Sequence, residues 1–218
     1  MNKTLLVIGA GPKALAIHTK ACVLRELGRD APDVVIIEKE HTGANWSGAT
    51  GYTDGKRNIV TAPEKDIGFP YRSKFGLKVD LLMSKYSWHT YKIYKREIAD
   101  WIDKERPSIS HSDFGQYLEW VGNESNADIR IGQVLGNIVC DDNEWIVPYY
   151  PHGQEHPVSI RASALVITGP GSPCTLSYQK PHPNISNSET FWIPSILDEF
   201  KNLQDGDFAV IEIGRAHV

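Results

Sequence analysis

Thr4-Leu5-Leu6-Val7-Ile8, followed directly by Gly9-Ala10-Gly11-Pro12-Lys13-Ala14, is the stretch from which the fold of this chain follows. The apolar run indicates a buried strand, and the glycines indicate a sharp turn into a helix. Gly9 permits that turn, Gly11 leaves room for a pyrophosphate beside the backbone, and Ala14 lets the helix pack close to the sheet. The spacing predicts a dinucleotide site formed by residues 9–14, with the helix amides directed at the phosphates.

A second apolar run, Val34-Val35-Ile36-Ile37, ends on Glu38 and completes this unit. In dinucleotide-binding folds an acid at this place accepts hydrogen bonds from the adenosine ribose, and its charge repels a 2′-phosphate. Glu38 and the adjoining Lys39 are therefore predicted cofactor contacts, and the site is expected to suit FAD or NAD better than NADP. The residues between the two strands predict a helix over Pro12–Leu27.

The composition is that of an ordinary globular protein. Its 218 residues include 41% hydrophobic and 23% charged side chains, enough for one large domain or two small ones. The formal net charge of −4 offers no basic surface for nucleic acid, and no apolar run approaches the length of a membrane span. Cys22, Cys140 and Cys174 are far apart and form no C-x-x-C pair, which favours a reducing, cytoplasmic setting.

The rest of the pattern predicts an α/β fold, a Rossmann-like domain with a parallel sheet, helices and an antiparallel β crossover. A buried strand, Ala164–Thr168, is expected beside the first strand, which would bring Thr168 and Gly169 near the dinucleotide. The other predicted elements are helices over Tyr91–Glu105, after a cap at Ser112-Asp113 and near Ile196–Leu203, and strands at Ile129–Ile131, Val134–Cys140, Glu144–Tyr149 and Val158–Arg161, with a hairpin turn at Asp141-Asp142-Asn143.

Residues 41–76 carry no helical or strand period and are rich in glycine, proline and aromatic side chains. A stretch of this length without regular structure is usually functional or disordered, and its aromatic residues argue against disorder. We therefore expect this segment to contribute to the site.

Two strings inside this segment carry a resemblance to a known family. They are Gly43-Ala44-Asn45-Trp46-Ser47-Gly48 and Thr61-Ala62-Pro63-Glu64-Lys65-Asp66-Ile67-Gly68-Phe69-Pro70-Tyr71-Arg72. The chain closely resembles the mycobactin/nocobactin-type lysine N-hydroxylases, which are flavin-dependent N-hydroxylating monooxygenases of siderophore biosynthesis. The resemblance runs from residue 1 to about residue 211, and the string Pro63–Tyr71 is its most specific part.

The resemblance implies a Rossmann-like FAD-binding domain, with FAD on the first glycine motif and NADPH on a second one. It also implies that reduced flavin and dioxygen form a flavin hydroperoxide, whose distal oxygen is attacked by the side-chain amine of L-lysine. A free lysine amine has a pKa of about 10.4, so bringing it to its neutral form near physiological pH costs roughly 4 kcal/mol. A desolvated pocket supplies part of that free energy.

Site residues also follow from the resemblance. Asn45 and Trp46 would line the flavin. Lys65 matches the position that contacts the amino-acid substrate in related ornithine hydroxylases, where a cation suits the α-carboxylate. The glutamine that precedes this lysine by five positions in the ornithine enzymes is Val60 here, which fits the lysine-type subgroup and leaves that flavin contact open. Val134 would touch the adenine through its backbone.

Several residues at the cofactor side have a second interpretation. Thr168 and Gly169 would close over the cofactor. Trp46 is alternatively a loop anchor, and Lys65 is alternatively a solvated surface lysine.

No catalytic side chain is predicted. His152 and His156 have the spacing of metal ligands on a helix, yet glycine and proline place them in a loop, so no metal is predicted. The alternative functions are another FAD-dependent monooxygenase or reductase, and a non-catalytic FAD- or NAD-binding module.

The last residues depart from the expected pattern. A strand over Asp207–Ile211 should lead into the second glycine motif, but Glu212–Val218 follow instead. The codons GAG ATC GGA AGA GCA CAC GTC encode these residues and contain a common sequencing-adapter sequence. We therefore expect a FAD-binding domain over 1–206, the first strand of an NADPH-binding domain over 207–211 and an adapter-derived tail over 212–218. Such a fragment is expected to be inactive, whereas the full-length protein would bind NADPH and is compatible with a homo-oligomer.

Overall fold

The computed structural model describes residues 3–50, 53–70, 74–169, 193–202 and 204. The chain divides into two compact units, 1–172 and 173–218. The described part of the second unit contains one helix, α7 (Pro194–Lys201), which confirms the helix predicted near residues 196–203. The predicted strand 207–211 and the predicted tail 212–218 lie outside the described residues, and the domain boundary at residue 206 remains a prediction.

The described residues of the first unit form seven strands and six α-helices. The strands are β1 (Thr4–Ile8), β2 (Asp33–Glu38), β3 (Asp128–Val134), β4 (Val139–Asp141), β5 (Glu144–Pro151), β6 (Val158–Ala162) and β7 (Ala164–Ile167). The helices are α1 (Pro12–Glu26), α2 (Ala44–Ser47), α3 (Leu77–Met83), α4 (Trp88–Tyr94), α5 (Ile98–Asp103) and α6 (His111–Glu124), with a 3-10 turn at Ser84–Tyr86.

These strands belong to one sheet with the order β4-β5-β3-β2-β1-β7, and β6 pairs with β5. β3, β2, β1 and β7 are parallel, whereas β4, β5 and β6 pair antiparallel, with β5 joining the carboxyl-terminal half of β3. The predicted α/β fold with an antiparallel crossover is confirmed, as is the place of β7 beside β1. Because parallel strands end at the same edge of a sheet, the turn after β1, Glu38 and Thr168 all lie at that edge.

Both faces of the central strands are buried. Val7 and Ile36 face a core that includes residues of α1 and of α3 to α6. Leu6 and Ile37 face a second core, which β5 and β6 complete. Burial on both faces explains why β1 and β2 are continuous apolar runs rather than alternating ones.

The helix predicted over Tyr91–Glu105 is wrong in its bounds. α4 begins earlier, because the Ser87 hydroxyl caps it by accepting a 3.2 Å hydrogen bond from the N–H of Thr90. The chain then breaks at Arg96, whose φ of +59° is left-handed, before α5 begins. Ile93 is 60% exposed whereas Trp101 is 5% exposed, so the protein buries only part of the apolar face that the helical period indicated.

Other local predictions have mixed outcomes. The cap of α6 is Ser110, which forms a capping box with Asp113, so the predicted cap at Ser112 is wrong. The hairpin turn is confirmed, with left-handed φ values of +47° at Asp142 and +62° at Asn143. β7 is less buried than predicted, since Ile167 is 63% exposed. None of the described helices is long and apolar enough to cross a membrane.

Candidate functional site

Gly9 makes the turn after β1 possible. Its φ of +98° lies in the left-handed region, and its N–H donates a 2.8 Å hydrogen bond to the carbonyl of Ile37 in β2. A Cβ at Gly9 would lie 2.7 Å from Thr168 Oγ1, which is closer than such atoms approach in real structures. Glycine is therefore required here both by the backbone conformation and by the residue that follows β7.

Gly11 leaves open space at the N-terminus of α1. It is the N-cap residue, in an extended conformation with a φ of −89°, and no heavy atom lies within 4 Å of a Cβ built on it. Pro12 occupies the first turn, where its missing N–H costs nothing, Lys13 is exposed and Ala14 is fully buried. The first amides of a 15-residue helix thus border an accessible backbone, as a pyrophosphate requires.

Glu38 is hydrogen-bonded to this turn. Its Oε2 accepts a 2.7 Å hydrogen bond from the N–H of Ala10, and its Oε1 accepts one of 3.1 Å from the N–H of Glu40. Each carboxylate oxygen has a second lone pair, so both remain able to accept from ribose hydroxyls. The neighbouring Lys39 side chain is exposed and pairs with Glu40 at 3.5 Å.

Helix α2 is held beside the turn. The N–H of Gly43 donates a 3.1 Å hydrogen bond to the carbonyl of Ala10. Trp46 is half-buried, and its ring centroid lies 4.7 Å from that of Phe114 and 5.5 Å from that of His111, both on α6. Trp46 therefore anchors α2 on α6 while part of its surface stays accessible, which accommodates both interpretations of this residue.

The remaining predicted cofactor contacts lie at or near the same edge of the sheet. Thr168 directly follows β7, and its Oγ1 lies 2.9 Å from the carbonyl oxygen of Ile8, to which it donates. Gly169 is exposed, with nothing within 4 Å of a Cβ built on it. Val134 is the last residue of β3, and Asn45 is exposed on α2. The contacts of these residues with a cofactor remain predictions.

Lys65 lies next to a buried acid. Its own side chain is exposed, and its N–H donates a 3.0 Å hydrogen bond to the carbonyl of Ala62. Asp66 is only 6% exposed, and its Oδ2 accepts a 2.5 Å hydrogen bond from the N–H of Trp88 at the start of α4. Burial raises the pKa of Asp66 to about 6, although hydrogen bonds from backbone N–H groups, that of Trp88 first, oppose the rise.

Tyr117 connects the segment around Lys65 to α6. Its hydroxyl accepts a 3.2 Å hydrogen bond from the N–H of Ile67 and donates one of 2.6 Å to the carbonyl of Tyr86. Tyr117 is fully buried, and its ring centroid lies 5.4 Å from that of Phe114, on which Trp46 packs. Helix α6 therefore supports both the predicted flavin-lining residue and the predicted substrate segment.

Asp66 and Tyr117 are the residues that sequence reasoning missed as parts of the site. Asp66 is 22 residues from Trp88, and Ile67 is 50 residues from Tyr117. A local pattern carries no signal for hydrogen bonds over such separations. The apolar helical period of α6 indicated only that Tyr117 would be buried.

Direct hydrogen bonds gather the turn, Glu38, α2 and Thr168 at one edge of the sheet, whereas Lys65 belongs to a second group held by α4 and α6. A cavity of about 360 Å³ adjoins this second group and is lined by Glu64, Asp66, Gly68, Phe69, Pro70, Ser84, Ser87 and His89. Within the described ranges, no three His, Cys, Asp or Glu side chains are grouped so as to hold a metal ion.

The sequence is similar to curated lysine monooxygenases. It is 40% identical over 196 residues to the L-lysine N6-monooxygenase MbtG of Mycobacterium tuberculosis, and 38% identical over 193 residues to the MbtG of Mycolicibacterium paratuberculosis. These alignments cover 88% and 87% of this chain but 44% and 43% of the relatives, so the chain spans less than half of their length. No protein-family profile matches the sequence.

Solved structures agree with this relationship. The lysine monooxygenase NbtG from Nocardia farcinica superposes with a TM-score of 0.77 at 36% identity, over 87% of this chain and 48% of NbtG. The reduced ornithine hydroxylase PvdA from Pseudomonas aeruginosa superposes with a TM-score of 0.61 over 81% of this chain and 40% of PvdA, and its 18% identity shows a shared fold alone. By sequence and by fold, the chain is similar to the lysine N6-monooxygenases over 87–88% of its own length, and it spans less than half of theirs.

Proposed function

We propose that this chain binds FAD through the turn after β1 and forms the flavin-binding part of an enzyme that hydroxylates the side-chain amine of L-lysine. In that enzyme NADPH supplies electrons, dioxygen supplies the oxygen atom, and the product serves siderophore biosynthesis. The observation that carries the proposal is the open position at Gly11, where the N-terminus of α1 borders space that a side chain would fill.

The carboxylate of Glu38 supports FAD over a phosphorylated dinucleotide. Glu38 is tied to the N–H of Ala10 at 2.7 Å, so a 2′-phosphate on an adenosine ribose would meet a negative charge beside the turn. NADPH is therefore assigned to a second site. FAD is favoured over NAD because reduced flavins react with dioxygen whereas nicotinamides transfer hydride, and the relatives at 36–40% identity are named monooxygenases.

The residues of this chain would position the cofactor and exclude water. Reduced FAD supplies the chemistry that activates dioxygen. The amides at the start of α1 would offset the pyrophosphate charge, and Trp46, packed 4.7 Å from Phe114, would present a fixed aromatic surface beside the turn. Removal of the substrate amine from water would lower its pKa and favour the neutral form, whose lone pair makes the new N–O bond.

Lys65 is proposed to bind the α-carboxylate of lysine. Its side chain is exposed, while the backbone that follows it is fixed by the bonds from Trp88 to Asp66 and from Ile67 to Tyr117. A cation on a fixed backbone pairs with a carboxylate at a lower entropic cost than a cation on a mobile loop.

The test is a titration of the purified chain with FAD, followed by flavin fluorescence. Gly11→Ala places a methyl group where the pyrophosphate would approach, so we expect binding to weaken at least about tenfold, or 1.4 kcal/mol. Gly136→Ala is the matched control, because a Cβ there also meets nothing within 4 Å and the residue lies between β3 and β4. A folded chain that binds no FAD, or equal binding by both variants, overturns the proposal.

The lysine assignment has its own test, on this chain and on any longer product of its gene. NADPH oxidation and hydroxylamine formation are measured with lysine and with ornithine, and equal activity on ornithine removes the substrate assignment. Lys65→Met should raise the KM for lysine and leave FAD binding unchanged, since the proposed ligand of this ammonium group is the substrate carboxylate and not the flavin. Lys56→Met, at another exposed lysine, is the control.

A further inference from the structure

Helix α1 carries a cysteine between two nitrogen donors. Cys22 Sγ lies 3.4 Å from His18 Nε2 and 3.5 Å from an Arg25 guanidinium nitrogen. Residues four and three apart on a helix share one face, which is why these three side chains meet. Cys22 lies ten residues beyond Pro12, or about 15 Å along the helix axis, so this group is separate from the turn.

The contacts of His18 determine the role of the sulfur. Nε2 also lies 3.1 Å from the carbonyl oxygen of Ser125, and a carbonyl only accepts, so Nε2 must carry the proton. A guanidinium only donates. Cys22 Sγ therefore accepts from an Arg25 N–H and shares the single Nε2 N–H of His18 with the Ser125 carbonyl, so the sulfur is the acceptor in both contacts. This is the arrangement that stabilises a thiolate over a thiol.

The two donors are held in place. His18 is only 4% exposed and bonded to Ser125. The Arg25 guanidinium is fixed by a 2.8 Å ion pair with Asp33 and a 2.9 Å hydrogen bond to the carbonyl of Pro32. The sulfur therefore receives its two contacts from side chains with little freedom to move away.

On balance, the titratable groups around Cys22 lower the pKa of its thiol. The hydrogen bond from His18, helped by Arg25, outweighs burial and lowers the pKa of the Cys22 thiol. Burial alone would lower the pKa of His18, but its contacts with Cys22 and Ser125 raise it. From the 3-10 turn, Tyr86 faces this group with its own phenol pKa raised by burial.

The other charges nearby are already neutralised by partners. Lys85, next to Tyr86, forms a 2.5 Å ion pair with Glu26 of α1. On the same helix, Lys20 lies 3.9 Å from Asp80 of α3. Asp33, at the start of β2, is the partner of Arg25. No net negative charge in this set opposes ionisation of Cys22.

We propose that Cys22 is a modification site, a nucleophilic thiolate that reacts with peroxides and with alkylating electrophiles. With a peroxide, the sulfur attacks one oxygen, the O–O bond breaks, and a sulfenic acid forms as hydroxide or alkoxide leaves. The sulfur is oxidised by two electrons and the peroxide is reduced by two. This proposal does not depend on the flavin chemistry proposed for the turn.

Cys140 provides an internal reference. It is exposed on β4, whereas Cys22 is only partly exposed. Among the described residues, no side chain forms a hydrogen bond with the Cys140 sulfur. If access alone set the reaction rate, Cys140 would react faster, and if thiolate character sets it, Cys22 would.

The experiment labels the folded chain with iodoacetamide over a range of pH and follows each cysteine peptide by mass spectrometry. Near neutral pH we expect Cys22 to react about tenfold faster than Cys140, with its half-maximal rate below the ordinary thiol value of about pH 8.5. The preference should vanish in denaturant, where His18 and Arg25 no longer face the sulfur. Equal rates, or parallel pH profiles, for the two cysteines in the folded chain overturn the proposal.

A variant and a second reagent complete the test. Arg25→Gln removes a donor that is partly exposed, so we expect Cys22 labelling to slow severalfold while Cys140 labelling is unchanged. Should this variant fail to fold, the pH profile of the unsubstituted chain still decides the matter. Hydrogen peroxide followed by dimedone should tag Cys22 as a sulfenic acid, and tagging of Cys140 alone would contradict the assignment.

Discussion

The N–H of Ala10 donates a 2.7 Å hydrogen bond to the carboxylate of Glu38, joining the turn after β1 to the end of β2. Ala10 is fully buried, so its N–H depends on this acceptor. The acid proposed to bind ribose therefore also holds the turn in shape. Substitutions at Glu38 should affect both stability and cofactor binding.

Glu38→Ala removes the acceptor of a buried amide and should lower the free energy of unfolding by about 1–3 kcal/mol. Glu38→Gln keeps an acceptor oxygen and should cost less in stability, while it still weakens FAD binding through the altered ribose contact. Urea denaturation and FAD titration measure the two effects. Glu40→Gln, at an exposed neighbour, is expected to change stability by less than about 0.5 kcal/mol. A Glu38→Ala variant as stable as this control would contradict the structural role of the Ala10 contact.

Gly9→Ala should destabilise the chain by about 2 kcal/mol or more even without FAD, because a left-handed φ of +98° is combined with a 2.7 Å approach to Thr168 Oγ1. Thr168→Ala removes that oxygen and should relieve part of the loss. The double variant is then expected to lose less unfolding free energy than the two single variants lose in sum, and a double-mutant cycle measures this difference. Additive effects would show that the clash with Thr168 contributes nothing.

Asp66 should make stability depend on pH. Its pKa is 3.8 unfolded and about 6 folded, so the folded protein holds a proton that the unfolded chain has lost between these values. The stabilisation is complete below about pH 4 and is lost as the pH rises to about 6, by roughly 3 kcal/mol in total. Asp66→Asn keeps an acceptor for Trp88 and cannot ionise, so its stability should exceed that of the unsubstituted chain above this range.

Urea denaturation at several pH values compares Asp66→Asn with the unsubstituted chain and with Asp103→Asn, which alters an exposed carboxyl on α5. The difference in unfolding free energy should open between about pH 4 and pH 6 for Asp66→Asn alone. Parallel profiles for all three proteins would show that Asp66 ionises as an ordinary carboxyl.

Tyr117→Phe removes a hydroxyl that bonds both the N–H of Ile67 and the carbonyl of Tyr86. Because these contacts are buried, we expect a loss of about 2 kcal/mol or more in the free energy of unfolding. Tyr94→Phe, at a residue that is 66% exposed, should change it by less than about 0.5 kcal/mol. Thermal or urea denaturation compares the pair, and similar stabilities would contradict the role of Tyr117 as a support of the Lys65 segment.

Features with local causes are predictable from sequence. The strand, turn and helix over residues 4–26 follow from an apolar run, two glycines and a small residue at Ala14. The hairpin at Asp142 and Asn143 is predictable because short polar side chains tolerate the left-handed region. The resemblance to lysine N-hydroxylases likewise rests on strings of adjoining residues.

The sequence does not predict which of several neighbouring apolar residues the fold buries. Tyr91 and Trp101 enter the core, whereas Ile93 and Ile102 remain exposed, and the chain breaks at Arg96 between them. A helical period identifies a set of apolar residues, but the neighbours available in space determine which of them is covered.

Local residue chemistry is thus enough to predict a glycine turn beside an acid, and to predict that this turn binds a dinucleotide. The tertiary structure determined the long-range hydrogen-bond partners. They are Ala10 with Glu38 across 28 residues, Ile67 with Tyr117 across 50, and His18 with Ser125 across 107. The physical reason is that a buried polar group must find a partner among whatever the fold brings near it, and sequence separation does not enter that requirement.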